Sequence, residues 1–196
     1  MSMVDTQWKA YATALESGDA DQVNDVIEKV KEMDLDKRIR LFEVCFDDLT
    51  EIYTETDDGY VRQSTVRMAD KLTPGIALVF TATESEQQPA VDESAVREQT
   101  DALCGFLLEA MTDQDGRVRQ SAQRGLKDVF RTYESLEDTQ TIKALAVELE
   151  EMATEFDDKR RDHLLETKED AEFFLQSGFG RILDGFQKEF GDSLRD

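Results

Sequence analysis

The side chains most often recruited for catalysis are scarce in this chain. His163 is the only histidine among 196 residues. A Ser–His or Cys–His nucleophilic pair therefore has one possible base, and it stands on a charged stretch beside Asp162, where a solvated imidazole is expected. Cys45 and Cys104 are the only cysteines, and both fall among apolar residues of expected helices. That setting suits buried thiols better than a disulfide. A zinc site wants several Cys or His at short spacing, which the sequence does not offer. Glu148, Glu150 and Glu151 read as a solvated face. Gly178-Phe179-Gly180 lacks the third glycine and the preceding strand of a dinucleotide loop. No catalytic, cofactor-binding or metal-binding residue is expected.

The informative polar residues are arginines in a repeated setting. Asp58-Gly59-Tyr60-Val61-Arg62-Gln63-Ser64-Thr65-Val66-Arg67 shares the form D-G-x-V-R-Q-S-x-x-R with Asp115-Gly116-Arg117-Val118-Arg119-Gln120-Ser121-Ala122-Gln123-Arg124, 57 positions later. Asp58 and Asp115 sit where a helix N-cap belongs, able to accept from the open N–H groups of the first turn. The helices that follow carry one apolar face each, Val61, Thr65, Met68 and Leu72 in the first and Val118, Ala122, Gly125 and Val129 in the second. Both stripes step by four, three and four. Arg62 and Arg119 follow the first buried position and are placed to reach a neighbouring turn's carboxylate.

The decamer resembles the second helix of a HEAT repeat, in which an Asp-containing turn leads into Val-Arg and then a small residue. The resemblance covers about ten residues twice, with helical pairing around them. Two departures stand out: the 57-residue interval exceeds the ~40–47 usual for such repeats, and glycine occupies turn positions where the family often has proline. The resemblance implies an all-α fold, a short right-handed α-solenoid of HEAT-like antiparallel helix pairs with a C-terminal capping helix.

The elements needed to build that stack follow from apolar spacing. Residues 1–34 read as a divergent N-terminal capping pair: Val4, Trp8, Tyr11 and Leu15 on one helix, Val23, Val26, Ile27, Val30 and Met33 on the next. Trp8 is expected to cover the end of the core. Residues 36–72 and 93–131 form the repeat pairs. In the first pair Asp36 is the expected cap, with Ile39, Phe42, Phe46, Leu49 and Tyr53 inward and Leu41, Val44, Cys45 and Ile52 widening the surface. Val96, Leu103, Phe106, Leu107 and Ala110 face inward in the second. Thr73-Pro74-Gly75 breaks the chain, and 73–92 reads as an inter-repeat loop that stretches the period. Residues 137–176 form a degenerate pair, with Asp157-Asp158-Lys159-Arg160-Arg161 as a decayed copy of the turn. After Ser177-Gly178 a capping helix, 178–194, carries Phe179, Ile182, Leu183, Phe186 and Phe190 on one side.

Composition narrows the partners. The 45 Asp and Glu outnumber 23 Lys and Arg, for a net charge of −22. The chain is Asp-rich and Lys-poor, with 24 Asp against 21 Glu and 13 Arg against 10 Lys. That pattern resembles haloarchaeal proteins, whose carboxylates keep the surface solvated when salt screens charge and drives apolar association. The basic spots are Lys37-Arg38 with Arg40, Arg117-Arg119-Arg124 and Lys159-Arg160-Arg161. Against the overall charge they argue poorly for phosphate backbones, so nucleic acid is not the expected partner. No secretory signal opens the sequence, and the longest apolar run, Ile76 to Phe80, is far short of a membrane span. A cytoplasmic location is expected.

The reading that follows is a non-catalytic scaffold or adaptor that binds another protein along a concave helical surface. Gln63, Arg67, Gln120 and Arg124 are its candidate exposed contacts, and Phe179 and Phe186 a second candidate patch. The alternative is a nucleic-acid-binding or lyase-like, ligand-binding protein on the same scaffold, as in HEAT-like glycosylases and phycobilin lyases. That alternative requires a basic concave face or a deep apolar cleft.

Overall fold

The computed structural model describes residues 3–72 and 93–192, the side chains of Met3, Leu35 and 177–192 excepted. Every regular element among these is an α-helix: α1 Met3–Glu16, α2 Ala20–Lys31, α3 Leu35–Glu55, α4 Gly59–Leu72, α5 Glu93–Ala110, α6 Gly116–Ser135, α7 Thr139–Ala153 and α8 Lys159–Asp192. None is long and apolar enough to cross a membrane. The expected loop 73–92, with Ile76–Phe80, lies outside the described residues. The chain divides into two compact units, Met1–Val129 and Phe130–Asp196, and the division falls within α6.

In the first unit α1 packs on α2, α3 and α4, α2 also on α4, α3 on α4, and α4 on α5. The stripes explain which faces meet. Trp8, Tyr11 and Leu15 are buried on α1, and Val23, Val26, Ile27 and Val30 on α2. Gly18 (φ 65°) takes the left-handed conformation that closes α1, which a Cβ would strain. Trp8 is buried, and its Nε1–H donates to Asp48 of α3 at 2.6 Å, which satisfies the one polar atom that burial would otherwise strand. The start of α3 differs from expectation. Asp34, not Asp36, is the N-cap residue, because the helix opens two residues earlier and takes Asp36 into its first turn.

Phe42 stacks on Phe46 (centroids 4.5 Å apart), and Phe106 of α5 meets both Phe46 and Tyr53 edge-on at 6.0 and 5.2 Å. Val44 departs from the expected wide apolar surface: it is exposed. All eight stripe positions of the two decamer helices are buried. Thr65 of that stripe and Ser64 beside it tolerate burial because each hydroxyl donates to the carbonyl four residues back, at Val61 and Tyr60. Cys45 and Cys104 are buried and form no disulfide. Burial pushes the Cys45 thiol up to about 12, well away from thiolate chemistry.

In the second unit α7 lies along α8. Ile142, Leu145 and Leu149 are buried on α7, and Leu164 and Ala171 on α8. Asp138 caps α7 by accepting from the Thr141 N–H at 3.0 Å. His163 is half-buried, not solvated as expected, with Nδ1 enclosed and lacking a hydrogen-bond partner. The break read at Ser177-Gly178 does not occur: the backbone is helical from Lys159 through to Asp192. Glycine inside a helix costs only about 1 kcal/mol relative to alanine, which thirty-odd residues of helix can absorb.

Candidate functional site

Four helix starts share one local design. Asp19, Asp58, Asp115 and Asp158 stand 39, 57 and 43 positions apart. Asp19 Oδ1 accepts from the N–H of Asp21 and Gln22 at 3.1 and 3.0 Å. The same oxygen of Asp58, Asp115 and Asp158 accepts from the N–H two residues on, at Tyr60, Arg117 and Arg160, at 2.7, 2.8 and 2.8 Å. A second acceptor supports the first in three of the turns. Two residues before each capping aspartate, Ser17, Thr56 and Asp113 take the aspartate's own N–H at 3.1, 3.1 and 2.7 Å. The fourth turn has Phe156 there, with the Arg160 guanidinium 4.4 Å from its ring centroid. Arg117 and Arg160 also fold back onto the caps they follow, reaching Asp115 and Asp158 at 2.7 Å. That bond holds the Asp115 carboxyl below the usual carboxylate range. The turn at 157–161, read as decayed, thus keeps the capping geometry.

The paired arginines do two jobs. Arg62 Nη1 donates to the Thr56 carbonyl at 3.0 Å, and Arg119 Nη1 to the Asp113 and Gln114 carbonyls at 2.6 and 2.9 Å. Each therefore clamps its own turn. Arg62 also reaches the next turn, where Nε donates to Asp113 Oδ2 at 2.8 Å and Nη2 to Oδ1 at 3.4 Å. Tyr53 Oη of α3 donates to the same Asp113 Oδ2 at 2.9 Å. Burial, then this bond to a carboxylate, pushes the Tyr53 phenol up. Arg119 does not make the corresponding outward contact; it is buried, and its Nε has no partner.

The expected partner-binding positions separate into three groups. Gln63 is half-buried and donates to Ser121 Oγ at 3.4 Å, joining the two decamer helices. Arg67 is half-buried and donates to Asn24 Oδ1 of α2 at 3.0 Å. These two are held by contacts within the unit. Gln120 and Arg124 are exposed on α6. The side chains of Phe179 and Phe186 lie outside the described residues.

Two features were not anticipated from the sequence. A depression of about 540 Å³ opens where α1, α3 and α4 meet, lined by Glu16, Asp48, Glu51 and Glu55 above Ile52 and Val61. No Lys or Arg among the described residues lines it. The signal was present in the three-and-four spacing of Asp48, Glu51 and Glu55, yet identical spacings recur throughout so acidic a chain. The second feature is Asp70 of α4. One carboxylate oxygen pairs with Lys71, while Oδ1 is enclosed without a partner. Gly125 of α6 faces it, and a Cβ there would stand 3.6 Å from that oxygen. Burial, with the Asp128 charge adding to it, raises the Asp70 pKa. Such a group holds its proton to higher pH than an ordinary carboxyl.

No family model matches the chain, and comparison with curated proteins and with solved structures gives no match.

Proposed function

We propose that this chain is a non-catalytic protein-interaction scaffold of a halophilic cytoplasm, built as a short right-handed stack of HEAT-like antiparallel helix pairs. The observation that carries the reading is the repeated turn. Four helix starts use the same aspartate geometry, and Arg62 ties one decamer turn to the next through Asp113. Packing of α1 on α3 and of α2 on α4 supports it, since stacked pairs bring first helices together and second helices together. Intervals of 39 and 43 fit such repeats, and the long interval of 57 contains residues 73–92.

On this reading the partner is a protein with a basic segment, seated in the acidic depression of α1, α3 and α4. Four carboxylates, with no lining cation among the described residues, set a field that steers a positive segment in and repels the chain's own kind. The test is capture of the tagged protein from its own cytoplasm at native salt, with and without nuclease, followed by mass spectrometry. A stoichiometric, nuclease-resistant protein is expected, lost on Glu51→Lys with Glu55→Lys and retained on Arg124→Glu. Retention by the first variant and loss by the second moves the contact to α6. Recovery that depends on nucleic acid overturns the scaffold reading.

A further inference from the structure

We propose that the opening turn of α3, with Arg38 and Gln99, is a receptor for an oxyanion, the carboxylate or phosphate group of a ligand. Arg38 retains only 8% of its surface exposure, and its Nε is enclosed without a hydrogen-bond partner. Among the described residues no carboxylate pairs with it, although the chain holds 45 acidic residues. Desolvation alone acts on its titration and lowers it. A guanidinium stays charged in any case, so one this largely enclosed, with an Nε–H that has no partner, is stabilised when an anion joins it. The small open fraction of Arg38 is where such an anion enters.

Gln99 of α5 supplies the second observation. It is buried, its Nε2 donates to the Ile39 carbonyl at 3.3 Å, and its Oε1 is enclosed without a partner. The amide is thereby held against Ile39, the residue next to Arg38 in α3, so one enclosed acceptor and one enclosed donor without partners belong to groups anchored one residue apart. A group that both accepts and donates, such as a monoprotonated phosphate or a carboxylate flanked by a hydroxyl, satisfies both.

The helix end favours the same charge. Asp34 is the N-cap residue but makes no side-chain cap bond; its carboxylate instead holds Lys37 at 2.7 Å. The Lys37 and Arg38 N–H groups of this 21-residue helix donate to the Asp34 carbonyl, at 3.0 and 3.1 Å, and the N–H groups before them receive no cap from the Asp34 side chain. Helical side chains lean toward the N-terminus, which carries Arg38 back toward that end. Arg40 is exposed one half-turn on and adds positive potential, while Asp34 and Asp36 are exposed and oppose it.

The test is thermal unfolding in potassium chloride, with phosphate or acetate replacing chloride at constant ionic strength. A saturable rise in melting temperature is expected for the native chain and is abolished in Arg38→Met. In chloride alone Arg38→Met is expected to melt no lower than the native chain, because an uncompensated charge has gone. Gln99→Met provides the second variant should the first fail to fold, and is expected to raise the half-saturating concentration several-fold. Saturation by phosphate alone assigns a phosphate ligand; saturation by acetate as well assigns a carboxylate. A rise that is linear in salt and equal in native and variant chains is general salt action and overturns the proposal. So does a native chain that responds to neither anion.

Discussion

Asp113 accepts from three directions: Tyr53 of α3, Arg62 of α4, and the backbone N–H of Asp115 in its own turn. Its side chain is 6% exposed and that of Arg62 20%, so water screens the pair weakly. The Lys29–Asp25 pair is shorter, at 2.5 Å, yet both side chains are more than half exposed. Burial decides which matters. A double-mutant cycle with Arg62→Met and Asp113→Asn is expected to give a coupling of about 1.5–3 kcal/mol, and the same cycle on Lys29 and Asp25 a far smaller one, because solvent screens that pair. Equal couplings would refute the view that Asp113 ties the turns together. Asp70 makes the opposite case, a buried carboxylate whose folded pKa is raised. The stability linked to its proton is present below the unfolded-state carboxyl pKa and lost as pH rises through the folded value. Asp70→Asn is therefore expected to melt higher than the native chain at pH 7–8, by roughly 1 kcal/mol if the orphaned oxygen dominates. The gap should close as pH falls toward 4. Parallel melting curves of native and variant chains across that range would show that the carboxyl is solvated.

Glycine in the repeated turn has a reason that only packing reveals. A Cβ on Gly59 would lie 2.1 Å from Asp115 Oδ2, the capping carboxylate of the next turn, and 3.3 Å from Arg117 Nη2. A Cβ on Gly116 meets nothing nearer than Arg119 Nη2 at 3.4 Å. Gly59→Ala is expected to cost about 1–3 kcal/mol by forcing the two turns apart, and Gly116→Ala to stay within about 0.5 kcal/mol. Both are read from chemical denaturation with unchanged slope. Equal effects would mean that the glycines serve local backbone conformation instead. The contrast also marks what was legible in the sequence. Capping by Asp58 and Asp115 and burial of both decamer stripes follow from spacing that any helix must obey. The partner of Arg62 did not: Asp113 precedes the recognisable decamer, and its counterpart Thr56 carries no charge, so nothing in the repeat marked it. The acidic depression was hidden in the general excess of carboxylates. The uninterrupted α8 was missed because Ser177-Gly178 is a weak signal: glycine within a helix costs only about 1 kcal/mol, too little to force a break.

At the scale of the molecule, charge governs the balance. A net −22 on 196 residues stores repulsion in any compact state, and unfolding relieves part of it by spreading the carboxylates apart. The described surface ion pairs do little against this, since Lys29, Lys31 and Lys37 pair with acids where solvent screens the attraction. Screening is the stronger remedy. The Debye length falls from about 10 Å at 0.1 M salt to about 3 Å at 1 M, shorter than most spacings between surface carboxylates. Melting temperature is therefore expected to climb steeply between 0.1 and 1 M potassium chloride and to flatten beyond, once screening is complete. Salting-out behaves differently: it grows with concentration and is stronger in sulfate than in chloride. Scanning calorimetry in chloride and in sulfate at matched ionic strength separates the two. Coincident curves that saturate near 1 M identify relief of repulsion as the source of stability. A rise that continues to several molar, with sulfate well above chloride, would instead assign it to apolar burial, and the acidic surface would then serve solubility alone.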